Sequence, residues 1–101
     1  MLIYNITTKV DWLIHDQWLK WMKTVHVPEV MATGCFQQQQ MVRLLETDET
    51  EGATYAMQYY AATEADYHRY TELFAPALRQ QILGKWGARV ISFRSLMEVV
   101  N

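Results

Sequence analysis

Val25-His26-Val27-Pro28-Glu29-Val30 and Leu73-Phe74-Ala75-Pro76-Ala77-Leu78 align without a gap. In each segment a proline falls inside a stretch of helical spacing. Proline has no N–H to give the helix and disfavours α geometry at the residue before it, so both helices are expected to kink or restart there. Two matching breaks in one short chain point to a single βαβ plan used twice. Seventeen residues separate the candidate N-cap Asp11 from Pro28, and thirteen separate Thr63 from Pro76. The difference is close to one turn of about 3.6 residues, which preserves the buried face.

Outward from these breaks the remaining elements follow from pattern. Leu2 to Val10 is rich in β-branched and apolar residues and predicts a first strand. Asp11 offers an N-cap, and Ile14, Trp18, Trp21, Met22 and Val25 recur at helical spacing up to the stop at Gly34. Cys35 to Glu46 alternates as a second strand, the polar run Thr47 to Gly52 is a connection, and Ala53 to Ala62 is a third strand. Thr63 with Asp66 resembles a capping box. A helix starting there has Tyr67, Tyr70, Thr71 and Phe74 as its inner stripe, restarts at Pro76 with Leu78, Ile82 and Trp86 inward, and stops at Gly87. Arg89 to Val99 closes as a fourth strand.

This order, βαββαβ, predicts an α+β ferredoxin-like domain over residues 1–101, with a four-stranded antiparallel sheet and both crossovers on one face. In such a fold the other sheet face meets water unless something covers it. Here neither face of the third or fourth strand reads as solvent-facing: Tyr55, Met57 and Tyr59 oppose Ala56 and Tyr60, and Ile91, Phe93 and Met97 oppose Val90 and Leu96. Large apolar patches are uncommon on monomers, so the expectation is a twofold homodimer joined through the open face.

Composition narrows the function classes. Nine basic and eleven acidic side chains give a charge of −2, with no basic stripe for nucleic acid. No apolar run is long enough to cross a bilayer and no signal peptide is read at the N-terminus, so a cytoplasmic protein is expected. The single Cys35 cannot close an intramolecular disulfide and has no base nearby in sequence. His15, His26 and His68 are too spread to form a metal-ligand motif, and four scattered glycines make no phosphate-cradling loop. No metal or cofactor is expected.

Ile3-Tyr4-Asn5, Trp18-Leu19-Lys20-Trp21-Met22, the run from His26 to Gly34, Phe74-Ala75-Pro76 and Phe93-Arg94 together resemble a family of small bacterial proteins known only as a domain of unknown function. The resemblance covers nearly the whole chain and implies a ferredoxin-like subunit joined as in the dimeric α/β barrels. It implies no activity. Proteins of that broad fold include cofactor-free monooxygenases, haem-degrading enzymes and plain ligand binders.

Four residues are candidates for chemistry. His26 and Glu29 lie three apart near a helix end, where a His beside a carboxylate can move protons. Alternatively, Glu29 solvates the kink and His26 satisfies a free carbonyl. The aligned positions Phe74 and Ala77 show that the repeated scaffold does not itself require them. Arg43 and Arg94 lie on strands set to be buried, where each binds a substrate carboxylate or pairs with a glutamate across an interface, Glu29, Glu46 and Glu98 being available. The Trp18, Trp21 and Met22 stripe reads as core. The leading expectation is a dimeric domain that binds a small apolar or aromatic ligand or has no catalytic role. The rival is a cofactor-independent monooxygenase- or isomerase-like enzyme using His26 and Glu29.

Overall fold

A computed structural model describes residues 1–101. Strand β1 (Leu2–Asp11) leads into helix α1 (His15–Trp21), a π-helical turn (Met22–His26) and helix α2 (Val27–Ala32). Strands β2 (Gln38–Arg43) and β3 (Gly52–Ala61) follow, then α3 (Glu64–Leu73), α4 (Ala75–Trp86), a 3₁₀ turn (Gly87–Arg89) and β4 (Val90–Glu98). The sheet order is β2-β3-β1-β4, antiparallel throughout. This is the ferredoxin-like arrangement expected from the element order.

β1 is the central strand that fixes the inside. It pairs with β3 from Leu2↔Ala61 to Asp11↔Gly52 and with β4 from Leu2↔Glu98 to Val10↔Val90. Side chains alternate along a strand, so this register gathers Tyr4, Ile6 and Thr8 of β1, Tyr55, Met57 and Tyr59 of β3, and Ser92 and Arg94 of β4 on the helix side. Tyr4 is buried there among aromatic rings, its centroid 6.2 Å from Phe36, 6.4 Å from Tyr59 and 5.8 Å from Tyr70. Such clustered rings contribute beyond the area they bury, about 0.5–1.5 kcal/mol per well-placed pair.

The helical layer breaks ahead of Pro76 in the second half, while in the first half the path stays helical and changes its hydrogen-bond pitch ahead of Pro28. Buried positions Trp18, Met22, His26 and Val30 recur every four residues. In a straight α-helix that spacing drifts by about 40° per step, since four residues exceed one turn of 3.6. The π turn takes up the drift: Val27 N–H donates to the Met22 carbonyl, five residues back. The irregularity therefore precedes Pro28 instead of centring on it. Val25, expected in the stripe, is exposed, and His26 takes an inward position. In the second half Phe74 breaks the helix and Pro76 sits in the first turn of α4, as Pro28 does in α2. Val27 and Ala75 are both buried, as are Val30 and Leu78. Thr63 caps α3 as expected, accepting the Asp66 N–H at 3.1 Å.

β2 is shorter than the Cys35-to-Glu46 alternation predicted. Cys35 and Phe36 turn into the core, and Glu46 adopts a positive φ of 58° in the connection to β3. Single ladder bonds, Gln37 N–H to the Tyr60 carbonyl and Leu44 N–H to the Thr54 carbonyl, flank the strand. No helix is long and apolar enough to cross a membrane.

The sheet face away from the helices carries Ile91, Phe93 and Met97 on β4, at 68%, 63% and 37% exposure. Val42 of β2 is exposed on the same face, and Ala56 and Tyr60 of β3 adjoin. These apolar side chains share the face with Asn5, Thr7, Lys9, Gln58 and Ser95, and no element of this chain lies across it.

Two glycines make opposite demands on stability. At Gly52 a Cβ would run into the Val10 carbonyl across the ladder, whereas at Gly84, inside α4, it would meet nothing. Gly52→Ala is expected to lose about 2 kcal/mol or more, as overpacking against rigid backbone does. Gly84→Ala should gain about 0.5–1 kcal/mol through helix propensity. Thermal or urea unfolding followed by circular dichroism checks both signs.

Candidate functional site

Between the helix side of β1 and β4 and the helices lies a cavity of about 290 Å³. Most of its lining is apolar: Ile6, Trp18, Met22, Met57, Leu78 and Ile82 contribute. Its polar groups come from six elements: Tyr4 and Thr8 from β1, His26 from the π turn, Tyr59 from β3, Tyr70 from α3, Arg79 from α4, and Ser92 and Arg94 from β4. An apolar hollow with a handful of convergent polar groups is the usual form of a small-molecule site, and this volume is at the small end of the range of roughly 300–1,000 Å³.

Thr8 and Ser92, opposite one another in the β1–β4 ladder, share a hydroxyl bond of 2.8 Å. Arg94 Nε donates to the Tyr4 hydroxyl at 3.0 Å, and Arg79 Nη2 donates to the same oxygen at 3.1 Å. A phenol oxygen has two acceptor lone pairs, so both are occupied. Three of the five arginines pair with carboxylates: Arg43 with Glu49, Arg69 with Asp66 and Arg89 with Asp11. Arg79 and Arg94 have none within 4 Å.

His26 is 5% exposed and stacks on Trp21 at 5.2 Å, with Nδ1 sealed from solvent and without a hydrogen-bond partner. Burial alone pushes its pKa down to about 4, so the imidazole is neutral at pH 7. The Tyr59 hydroxyl is also sealed and unpartnered, and burial holds it protonated well above the usual phenol range, with Tyr70 and Tyr4 adding to the effect. Burial raises Tyr70 as well; Tyr4 reinforces that shift, while the Arg79 and Arg94 cations oppose it.

Of the four sequence candidates, His26 and Arg94 line this cavity. Glu29 does not: it is exposed on α2, because the phase change across the π turn carries Val27 and Val30 inward instead. The structure therefore does not assemble His26 and Glu29 as a facing pair. Arg43 lies elsewhere, in a bidentate pair with Glu49 of the same chain at 2.8–3.1 Å and over the Trp12 ring at 5.8 Å. Its glutamate partner is thus within the chain and is none of those considered from sequence. Tyr4, Tyr59, Tyr70 and Arg79 were not singled out. The Tyr67–Tyr70 stripe placed Tyr70 inward, but Tyr4 and Arg94 meet only through a register that sequence parity alone does not fix.

A second polar cluster lies beside α1, where His15 bonds the Tyr55 hydroxyl at 2.7 Å and Asp16 at 2.8 Å. No set of three or more His, Cys, Asp or Glu side chains gathers as a metal site.

Over residues 1–100 the sequence matches the model of a domain of unknown function, DUF4286. The chain belongs to that family. No curated protein matches it in sequence. Among solved structures, the fold is similar to an ethyl tert-butyl ether d (ethd) family protein from Bacillus halodurans c-125, at a TM-score of 0.67 and 12% identity, covering 99% of this chain and all of that one. It is also similar to a dimeric ferredoxin-like protein from an uncultured marine organism, with a TM-score of 0.65 and 14% identity, covering 99% and 95% of the two chains. At these identities the likeness establishes a shared fold.

The buried imidazole gives this family member a testable pH dependence. Folded His26 resists protonation down to about 4, whereas the unfolded chain takes up that proton near 6.5. Between those values the unfolded state binds more protons, so stability is full above pH 6.5 and falls as pH drops towards 4. The loss should reach about 3 kcal/mol from this one group. In His26→Phe, which copies the residue at the aligned position, urea unfolding at pH 7 and pH 4.5 should show a correspondingly smaller difference. An unchanged pH dependence would place the effect elsewhere.

Proposed function

We propose that this chain is a ligand-binding homodimer that takes a small apolar or aromatic molecule into the cavity between sheet and helices. The observation that carries the reading is the cavity itself. It is walled by Trp18, Met22, Met57 and Ile82, and the few polar side chains among them, Thr8, Ser92, Arg79 and Arg94, lie beside the same apolar hollow.

A homodimer through the open sheet face accounts for the exposed Ile91, Phe93 and Met97. A structural neighbour described as a dimeric ferredoxin-like protein supports that assembly by analogy of fold. A bacterial cytoplasm, where Cys35 stays a free thiol in the core, fits the same picture.

The enzymatic alternative, a cofactor-independent monooxygenase- or isomerase-like reaction using His26 and Glu29, draws on the neutral imidazole beside the cavity. Glu29 faces solvent, so His26 would act without that carboxylate. Binding is therefore the better-supported reading.

Two measurements test the proposal. A neutral probe such as 4-isopropylbenzyl alcohol should quench Trp18 fluorescence with a dissociation constant of about 4 mM or below, the scale set by roughly 0.3 kcal/mol per non-hydrogen atom. Ile82→Trp, which fills the cavity, should abolish the effect; equal quenching in the two proteins removes the cavity reading. Separately, sedimentation velocity at micromolar concentration should give a dimer that Phe93→Asp converts to a folded monomer. A clean monomer for the unaltered chain ends the assembly claim.

A further inference from the structure

Two cations converge on one neutral atom at the mouth of the cavity. Arg79 and Arg94 reach the Tyr4 hydroxyl from opposite walls, α4 and β4, at 3.1 and 3.0 Å. Like charges at such separations repel unless solvent screens them or an anion lies between them. No carboxylate of the chain does so, although every other arginine has one. The two guanidinium groups also occupy both lone pairs of the Tyr4 oxygen, which leaves its own proton without a protein acceptor. Guanidinium N–H groups and a free phenol proton are all donors. Together they form a receptor for oxygen atoms carrying negative charge.

Behind this mouth the chemistry changes. Trp18, Met22 and Met57 form an apolar floor, with the buried Tyr59 beside them. About 290 Å³ holds roughly ten water-sized units at 30 Å³ each. A phospholipid or nucleotide is too large for that space, but a small organic acid fits.

We propose that the cavity takes an amphiphilic carboxylate. Its charged group sits between Arg79, Arg94 and the Tyr4 hydroxyl, and its aromatic or branched aliphatic body of about ten non-hydrogen atoms lies against Trp18, Met22 and Met57. This assignment rests on the small-ligand reading of the same cavity and adds the charge and polarity of what it binds. Both arginines are substantially exposed, so the attraction is screened by salt and the apolar body supplies the remaining selectivity.

The test is isothermal titration of the full chain with 4-isopropylbenzoate, its neutral isostere 4-isopropylbenzamide, and inorganic phosphate. The carboxylate should bind at least about tenfold more tightly than the amide, the lower end expected for charge-assisted hydrogen bonds. Arg79→Met/Arg94→Met should erase that ratio while leaving amide affinity in place. Arg94→Lys and Tyr4→Phe, which disturb packing less, should each reduce the ratio partially, and they carry the comparison if circular dichroism shows the double variant unfolded. Equal affinity for carboxylate and amide overturns the anion assignment while the cavity reading stands. Binding of neither compound removes both. Phosphate that competes as well as the benzoate overturns the amphiphile, since the arginines would then be a plain anion patch.

Discussion

The two-sided register of β1 is the constraint on which the rest of the structure depends. Each inward residue of this strand has a neighbour on β3 and another on β4: Tyr4 lies between Tyr59 and Leu96, Ile6 between Met57 and Arg94, and Thr8 between Tyr55 and Ser92. A slip of one residue on either side would turn an entire set of side chains to the opposite face. The cavity floor, the Thr8–Ser92 bond and the approach of Arg94 to Tyr4 would disappear together. Gly52 secures one end of this register by close backbone contact with Val10, where no larger residue fits without a shift.

Over that sheet the helical layer solves two problems at once. It must cover an aromatic-rich face, and it must leave a hollow beside Tyr4 and Arg94. Large rings do both, because Trp18, Tyr59 and Tyr70 bridge the layers while their stiff shapes do not collapse into every gap. The polar atoms they bring have different fates. Tyr4 accepts from two arginines, while the Tyr59 hydroxyl and the Nδ1 of His26 have no protein partner. Buried polar atoms without partners weaken the fold. Asn5 Oδ1 and Trp86 Nε1 share this state on residues away from the cavity, so it is not particular to the cavity wall.

Much of this architecture was legible from residue pattern. The matched Pro28 and Pro76 segments gave the repeated plan, and strand alternation with the caps at Thr63 and Gly87 gave the element order. Three features escaped for physical reasons. The π turn depends on a four-residue recurrence, Trp18-Met22-His26-Val30, that differs from an α stripe by only a small angle per step, so His26 and Glu29 seemed to share a face. The end of β2 was hidden because Cys35 and Phe36 are as apolar as strand residues but serve the core from a loop. The Arg79–Tyr4–Arg94 convergence joins residues 75 and 90 positions apart in sequence, a contact that only the assembled sheet and helix layer creates.

The π turn also changes how the chain tolerates altered length. A π turn contains one residue more per hydrogen-bonded loop than an α turn, so Met22–His26 stores a residue of slack inside a continuous helical path. Removing one residue there can be absorbed by tightening the ladder to α geometry without severing the helix. Orientation is nearly conserved, because four α residues complete about the same turn that five residues complete in π geometry, so α2 keeps its facing toward the sheet. Met22–His26 is therefore the point in the helical layer where the chain can lose a residue without turning its buried face outward.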